Sequence, residues 1–206
     1  MNLIELKNTF IGDQLQLEEK LLREKSEEYC LINTGSSPAI VMGISGKADL
    51  LIHEDQNHLP VLRRFSGGGT VVIDENTIFV TFICNKTSHP FPAYPEPILR
   101  WAESQLAPVT PGLTLRENDF VFGEKKCGGN ALYIKKDRWL IHTSFLWDYD
   151  PEKMALLKYP PKTPTYRQGR SHTEFICRLK DYFPSQEGWI EKLRSITSPV
   201  TLPVEA

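Results

Sequence analysis

The sequence has 206 residues, which is long enough for one domain with a sizeable hydrophobic core. Hydrophobic residues make up 40% of the chain and charged residues 24%, a balance typical of ordinary globular proteins. The net charge of −2 provides no positive field for nucleic acid or acidic membranes, so both are disfavoured as partners.

The cysteines lie far apart in the sequence and include no CxxC pair, so neither a zinc knuckle nor a disulfide framework is predicted. They are Cys30, Cys84, Cys127 and Cys177. No apolar run resembles a signal peptide or reaches the length of a membrane span. We therefore expect a protein of the reducing cytoplasm.

The first predicted element is an amphipathic helix that begins near Asp13, whose side chain we expect to cap it. The leucines of this helix should face the core, whereas its charged side chains, Glu18 among them, should face water. Residues 38–43 then predict a short buried strand.

Two β-hairpins are predicted further along the chain. The first joins residues 71–73 to residues 77–83, and the second of these strands is apolar on both faces, which places it centrally in a sheet. The second hairpin joins residues 131–134 to residues 139–142. Helices are predicted over residues 98–106, 151–158 and 187–196. Hairpins separated by helices are typical of an α+β fold, here one domain over residues 1–206 with a mixed, mostly antiparallel sheet and flanking helices.

Three consecutive glycines, Gly67, Gly68 and Gly69, follow the arginine pair Arg63–Arg64 and precede a β-branched run. Because glycine has no Cβ, a ligand can press directly against the backbone N–H groups of such a segment. N–H groups beside an arginine suit phosphate or carboxylate oxygens. The segment is therefore a candidate binding site, and an ordinary glycine-rich hairpin turn is the alternative.

A second candidate places Lys126 just before another glycine pair and a strand. An ammonium beside bare backbone suits a negatively charged oxygen, whereas a solvated Lys125–Lys126 pair in a turn is the alternative. Upstream, Asn118–Asp119 could bind a divalent metal or a ribose or phosphate oxygen, and a plain turn is again the alternative.

Other nucleotide and hydrolase motifs fail on inspection. Residues 43–48 lack the spacing and the hydroxyl residue of a P-loop, and no GxGxxG follows a strand. His53 and His58 lack the regular helix that HExxH zinc chemistry requires. Ser66 and Ser144 lack a GxSxG elbow, which argues against a serine hydrolase.

Taken together, these segments resemble the lipoate–protein ligase A family, within the larger group of biotin and lipoate ligases. Their order and spacing agree with that family from the first strand to about Leu179. The segments that carry the resemblance are residues 63–71, Asn118–Asp119, Lys126, residues 129–131 and residues 141–146.

The resemblance implies the catalytic-domain fold that biotin ligases share, distantly, with class II aminoacyl-tRNA synthetases. It also implies a two-step reaction with ATP, Mg²⁺ and lipoate or octanoate. The carboxylate attacks the α-phosphorus of ATP to give acyl-adenylate and pyrophosphate. A lysine amine of an acceptor domain then attacks the acyl carbon.

The roles implied for the residues follow the charge that develops in this reaction. Lys126 is implied as the catalytic group that contacts the carboxylate and α-phosphate oxygens. Arg64 and the glycine N–H groups should orient the acyl-phosphate, and Asp119 is the candidate Mg²⁺ ligand. The apolar strands should provide a slot for the acyl tail. The implied binding residues are Arg64, Ser66, Gly67, Gly68, Gly69, Val71, Asn118, Asp119, Ala131 and His142.

The sequence also departs from the family pattern. Ile73 stands where family members often carry a histidine, which affects the expected adenine contact. The sequence ends soon after the catalytic segments, so we expect this chain to lack the C-terminal accessory domain of many ligases. Either the domain suffices alone, or a separate accessory polypeptide completes it, or adenylation is not its activity.

Two alternative functions remain open from the residues. Related octanoyltransferases pass an acyl group through a cysteine thioester without ATP, and Cys127, beside Lys126, could be such a nucleophile; a small buried thiol is the competing interpretation. The other alternative is a non-catalytic module that binds lipoyl-adenylate.

Family resemblance implies lipoyl-acceptor domains as protein partners, either the E2 domains of 2-oxoacid dehydrogenases or the glycine-cleavage H protein. Their surfaces are commonly acidic, and a cluster of basic side chains could form a matching rim. The residues of this expected rim are Lys125, Lys126, Lys135, Lys136 and Arg138.

Overall fold

The computed structural model describes residues 1–197. Its strands are β1 (Asn2–Lys7), β2 (Tyr29–Thr34), β3 (Ala39–Met42), β4 (Val61–Arg63), β5 (Val71–Ile73), β6 (Thr77–Asn85), β7 (Thr114–Arg116), β8 (Asp119–Phe122), β9 (Lys125–Ile134) and β10 (Arg138–Leu146). Its α-helices are α1 (Ile11–Glu24), α2 (Ala48–Leu51), α3 (Pro95–Leu106), α4 (Pro151–Met154), α5 (His172–Phe175) and α6 (Gln186–Arg194).

The strands form two sheets. A seven-stranded sheet has the order β1-β2-β6-β10-β9-β8-β7, and a three-stranded sheet has the order β4-β3-β5. Of the strand pairs within residues 1–197, β1–β2 and β3–β4 are parallel and the others antiparallel, so the mixed, mostly antiparallel sheet predicted from the sequence is confirmed. The α+β class is confirmed as well.

The two faces of the large sheet are covered by different helices. Helices α3 and α6 pack on one face, against a core that contains Phe82, Ile141 and Phe145. Helix α1 packs on the other face, where Leu22 meets Leu31 and Leu140. Because side chains alternate along a strand, the central strand β6 contributes to both cores, which explains why it is buried along almost its whole length.

The predicted hairpin of residues 71–73 and 77–83 is wrong, because β5 and β6 belong to different sheets. Both edges of β6 are already paired, one with β2 and the other with β10, and no edge remains for β5. Strand β5 pairs with β3 instead. The central position predicted for β6 is confirmed.

The hairpin of β9 and β10 is confirmed, although both strands are longer than predicted. Strand β9 begins at Lys125, so Gly128 and Gly129 lie within the ladder and not in a turn before it. Helix α4 is shorter than predicted, and the polar tail after residue 197 lies outside the described residues.

The predicted cap of the first helix is also wrong. Helix α1 begins at Ile11, and its N-cap residue is Phe10, whose side chain cannot form a capping hydrogen bond. Ser36, from the loop between β2 and β3, accepts the N–H of Ile11 at 3.0 Å instead. Asp13 lies in the first turn, where a carboxylate interacts favourably with the helix dipole.

The other end of α1 is closed by Arg138, the first residue of β10, which is only 3% exposed. Its guanidinium donates to the carbonyls of Leu21 at 2.8 Å and Leu22 at 3.3 Å, and also to those of Lys25 and Glu27. Arg138 is therefore part of the interior, and its expected place in a basic surface rim is wrong.

No helix within residues 1–197 has the length and apolar character needed to cross a bilayer. The cytoplasmic location expected from the sequence stays a prediction.

We expect Arg138→Met to lower the free energy of unfolding by about 3 kcal/mol, because it leaves several buried helix carbonyls without a donor. Lys136→Met, two residues away on the exposed turn, is the matched control and should change stability by less than about 0.5 kcal/mol. Urea unfolding of both variants measures the difference, and equal stabilities would contradict the role given to Arg138.

Candidate active site

The glycine loop, which we define as residues 64–70 between β4 and β5, is built around the buried guanidinium of Arg64. This group donates to the Gly67 carbonyl at 2.7 Å and 3.1 Å and to the Gly69 carbonyl at 2.7 Å. Burial lowers the pKa of Arg64 to about 10, although the nearby Glu18 charge opposes the shift, so the group stays charged at neutral pH. Arg64 thus shapes the loop from below, which differs from the expected direct contact with an acyl-phosphate.

The loop N–H groups face the other way. In a trans peptide the C=O and the following N–H point in opposite directions. The carbonyls of Gly67 and Gly69 point at Arg64, so the N–H groups of Gly68 and Thr70 point away from it. Gly67 is different, because its N–H donates to the Leu132 carbonyl on β9 at 3.3 Å. Within residues 1–197, the N–H groups of Gly68, Gly69 and Thr70 donate to no protein acceptor.

The three glycines differ in why they are needed. Gly68 has φ of +98°, and a Cβ there would lie 2.8 Å from Nη2 of Arg64. A Cβ on Gly69 would meet nothing within 4 Å, and one on Gly67 would meet only the Leu132 carbonyl at 4.0 Å. Gly68 is therefore required by the fold, whereas Gly67 and Gly69 leave open space above the backbone.

A β-bulge positions Lys126 on β9. Phe120 pairs with Gly128 and Val121 with Lys126, so Cys127 is the extra residue between two ladder positions. Cys127 and Gly128 both face the core, where the absence of a Cβ on Gly128 admits the ring of Phe145. As a result, the Lys126 side chain extends over Gly129, and a Cβ there would lie 3.1 Å from the lysine Nζ.

Lys126 is held by Asp119. Its Nζ lies 2.8 Å from Oδ1 of Asp119, and Oδ2 of Asp119 accepts from the Tyr166 hydroxyl at 2.9 Å. Burial and the Asp119 charge raise the pKa of Tyr166, which keeps this phenol a hydrogen-bond donor. The lysine side chain remains 24% exposed, so its ammonium can still reach a ligand.

A buried polar chain connects the glycine loop to α1. The Ser66 hydroxyl lies 2.9 Å from Nε2 of His142, and Nδ1 of His142 lies 2.8 Å from Oε2 of Glu18. A carboxylate only accepts hydrogen bonds, so Nδ1 carries the hydrogen. Thr81 and Gln14 donate to the other Glu18 oxygen at 2.6 Å and 2.7 Å.

Glu18 is ionised in spite of its complete burial. Burial alone would raise the pKa of Glu18, but the His142 charge and the hydrogen bonds from His142, Thr81 and Gln14 together lower it. The expectation that Glu18 faces water is wrong. Its position could have been found from the helical repeat, because residues 11, 15, 18 and 22 recur at the spacing of one helix face.

Lys126 and the hydrogen-bonded pair of Ser66 and His142 lie on the same face of the large sheet. Gly129 pairs with Ser144 and Ala131 pairs with His142, so these two positions are separated by two residues, or about 7 Å, along β9. The Ala131 methyl group lies beneath Gly68. The Lys126 ammonium and the glycine loop, with the outward N–H groups of Gly68 and Thr70, therefore lie on the same face of β9 and β10.

Other predicted site residues lie at the margin. Asn118 is exposed, and its carbonyl accepts from the Asn130 amide at 3.0 Å. Val71 is partly buried in β5, where it pairs with Val41. Cys127 lies in the core on the far side of β9, and burial raises the pKa of its thiol well above the usual value. Tyr166 was missed, since nothing in the sequence near it indicates a contact with Asp119.

These residues do not form a ready Mg²⁺ site. Asp119 is the carboxylate that we expected to bind the metal. Both of its oxygens already accept hydrogen bonds, one from Lys126 and the other from Tyr166. Mg²⁺ requires oxygen ligands in near-octahedral geometry.

The chain belongs to the lipoyl protein ligase A/B catalytic domain family, whose model matches residues 11–195. One relative, named inactive lipoate–protein ligase 2 of Plasmodium falciparum, is 27% identical over 216 residues, which cover 84% of this chain and 56% of the relative. The chain spans about half the length of the curated relatives it matches.

Solved structures of ligases share the fold. A bi-partite lipoate protein ligase of Thermoplasma acidophilum, described with its E2 lipoyl domain, has a TM-score of 0.80 at 18% identity, over 96% of this chain and 82% of that chain. A lipoate-protein ligase A bound with ATP has a TM-score of 0.73 at 18% identity, over 96% and 83%. At these identities the likeness establishes the fold, which confirms the architecture expected from the sequence.

We expect Gly68→Ala to lower the free energy of unfolding by about 1–3 kcal/mol, because alanine at this positive φ is strained and would press on Arg64. Gly69→Ala is the matched control and should stay within about 0.5 kcal/mol of the parent. Chemical denaturation distinguishes them, and a larger loss for Gly69→Ala would refute the assignment of the two glycines.

We expect Glu18→Gln to lower the free energy of unfolding by about 2 kcal/mol near neutral pH, since charge-assisted hydrogen bonds are lost. The folded pKa of Glu18 is lowered, so its contribution is present above the unfolded value of about 4.3 and disappears as the pH falls through the folded pKa. Unfolding curves of both proteins across acidic pH test this, and a gap that does not shrink in acid would contradict it.

Proposed function

We propose that this chain activates a medium-chain carboxylate, lipoate or octanoate, with ATP and then transfers the acyl group to a lysine of a lipoyl-acceptor domain. The observation that carries the proposal is the shared face of β9 and β10, where the Lys126 ammonium stands beside the outward N–H groups of the glycine loop. Family membership supports the same reaction class.

The first step concentrates negative charge on oxygens that lie close together. The attack of a carboxylate on the α-phosphorus of ATP brings carboxylate and phosphate oxygens to one point, and fixed donors there stabilise the charge as it develops. We assign the ammonium of Lys126 to these oxygens. Asp119 and Tyr166 hold the lysine in position before the substrate arrives, which limits the reorganisation that the reaction requires.

The loop supplies a second set of donors. Among the described residues, the N–H groups of Gly68, Gly69 and Thr70 have no protein acceptor, and successive N–H groups of this kind bind anions. The open space above Gly69 lets a phosphate oxygen approach the backbone. Ser66 and His142 act on the loop from beneath and serve here as positioning residues, since the Ser66 side chain is fully buried.

A groove of about 370 Å³, lined in part by Gln16, Glu19, Arg63 and Arg64, lies beside the loop, between the first half of α1 and β4. Its apolar side chains are Leu15, Ile44, Leu62 and Phe65. We assign the acyl tail to this groove, where each buried CH₂ contributes about 0.8 kcal/mol. The length of the acyl chain can then be discriminated by the number of CH₂ groups that the groove buries.

The thioester alternative through Cys127 receives less support. The thiol is buried in the core on the opposite side of β9 from Lys126 and donates to the Phe120 carbonyl at 3.4 Å. A nucleophile needs thiolate character and access, and burial removes both. The other alternative is a non-catalytic module that binds lipoyl-adenylate, and one relative is named inactive.

The acceptor follows from the same proposal. We propose an acidic lipoyl domain, of the E2 or H-protein type, that docks beside the exposed lysines of the β9–β10 turn. Lys136 is exposed on this turn, whereas Lys125 is exposed at the opposite end of β9 and Arg138 is buried, so neither belongs to this part of the rim. We also propose that a separate accessory polypeptide takes part, because one structural neighbour is described as bi-partite.

We expect Lys126→Ala to reduce the rate of acyl-adenylate formation by about 10²–10³-fold, because it removes one preorganised charge-stabilising group. Exchange of labelled pyrophosphate into ATP, dependent on added lipoate, measures this step. Lys125→Ala, an exposed neighbour, is the matched control and should keep the parental rate. Equal rates for Lys126→Ala and the parent would show that the role given to Lys126 is wrong.

The reaction as a whole is tested by the mass of an apo-lipoyl domain after incubation with lipoate, with and without ATP. The proposal predicts a lipoyl-sized mass gain only with ATP. Acylation from an acyl carrier protein donor without ATP would favour the transferase. Binding of lipoyl-adenylate without transfer would favour the non-catalytic module.

A further inference from the structure

A different polar cluster lies on the opposite face of the large sheet from the candidate active site. Cys84 on β6 points into the core beneath α3, whereas Thr81 on the same strand points towards Glu18. Glu28 lies just before β2, and His89 follows the short 3₁₀ helix after β6. Cys84 Sγ, a ring nitrogen of His89 and a Glu28 carboxylate oxygen all lie within 4.8 Å of one another.

His89 is the unusual member of this cluster. Its Nε2 is buried and makes no hydrogen bond within residues 1–197, although it lies 3.3 Å from Oε1 of Glu28. The ring is enclosed by aromatic side chains, with Trp101 at 5.0 Å and Trp139 at 5.3 Å between centroids. A buried imidazole nitrogen and a carboxylate oxygen this close together, with a cysteine sulfur nearby, are donors that can share one metal cation.

The spacing of the donor atoms fits a tetrahedral ion. Zinc bonds of about 2.0–2.1 Å to nitrogen and oxygen place those two atoms about 3.3 Å apart, which is the separation found between His89 and Glu28. A zinc–sulfur bond of about 2.3 Å would place Cys84 Sγ about 3.6 Å from each, within reach of a small side-chain adjustment. The Asn85 N–H donates to Oε1 of Glu28 at 2.9 Å and so orients the carboxylate.

We propose that Glu28, Cys84 and His89 bind a divalent transition-metal ion, with Zn²⁺ as the ion that best suits one thiolate, one imidazole and one carboxylate. The Cys84 thiol releases its proton to solvent when the sulfur–metal bond forms, and water completes the fourth position. The ion would fasten the start of β2, the end of β6 and the segment that leads to α3. Glu28 and His89 keep 21% and 11% of their side chains exposed, which provides a route of entry.

Cobalt is the probe for this site, because a thiolate bound to Co²⁺ gives a charge-transfer band in the near ultraviolet. The full chain, stripped with a chelator, should bind one equivalent of Co²⁺ with this band, and added Zn²⁺ should abolish it. Cys84→Ser should remove the band. His89→Gln and Glu28→Gln should each weaken Co²⁺ binding by at least about 10–100-fold.

Cys30→Ser is the matched control, because Cys30 is equally buried on β2 and joins the same core as Cys84. This variant should keep the band. The proposal is overturned if the parent gives no thiolate band, or if the band survives in Cys84→Ser, in which case Glu28 and His89 form an ion pair only. If Cys84→Ser does not fold, unchanged Co²⁺ affinity in both His89→Gln and Glu28→Gln would overturn it equally.

Discussion

The buried guanidinium of Arg64 determines which way the peptides of the glycine loop are oriented. Its hydrogen bonds to the Gly67 and Gly69 carbonyls turn those oxygens inward, and peptide planarity turns the following N–H groups outward. The loop therefore presents donors to any anion above it without carrying a charged side chain on its surface. Such donors need no rearrangement when a charged ligand binds, which is what makes preorganised sites effective.

The loop is in turn fixed to both sheets. The Arg64 N–H donates to the Met42 carbonyl of the small sheet, and the Gly67 N–H donates to Leu132 of the large one. Ser66 also links the loop, through a hydrogen bond to His142, to the buried carboxylate of Glu18 on α1. A buried network of this kind is stable only while every member has its partner, so the loop, β10 and α1 hold one another in register.

Much of the architecture followed from periodicity and residue type. The buried strand β3, the central strand β6 and the β9–β10 hairpin were predictable because each is a local pattern of apolar residues. The division of β5 and β6 between two sheets was not, since pairing depends on which strand edges are already occupied. Glu18 was misplaced because its charge was given more weight than its position on the helix repeat.

In the candidate site, too, some features could be predicted from the sequence and others could not. The glycine loop and Lys126 were singled out from their residue types, because bare backbone and fixed charges are what phosphate chemistry requires, whereas His142 was indicated only by the family resemblance. The bulge at Cys127, which brings Lys126 over Gly129, depends on a pairing that only the assembled ladder reveals. The same holds for Tyr166, for the inward role of Arg64 and for the cluster of Glu28, Cys84 and His89, whose members are distant in sequence.

The most direct measurement of the central claim is the change in backbone amide resonances when a non-hydrolysable acyl-adenylate analogue is added to the protein. The account predicts large shifts for the amides of Gly68 and Thr70, whose N–H groups point away from Arg64, and little change for Gly67, whose N–H is already bonded to β9. A saturable complex in which Gly68 and Thr70 are unmoved would contradict it.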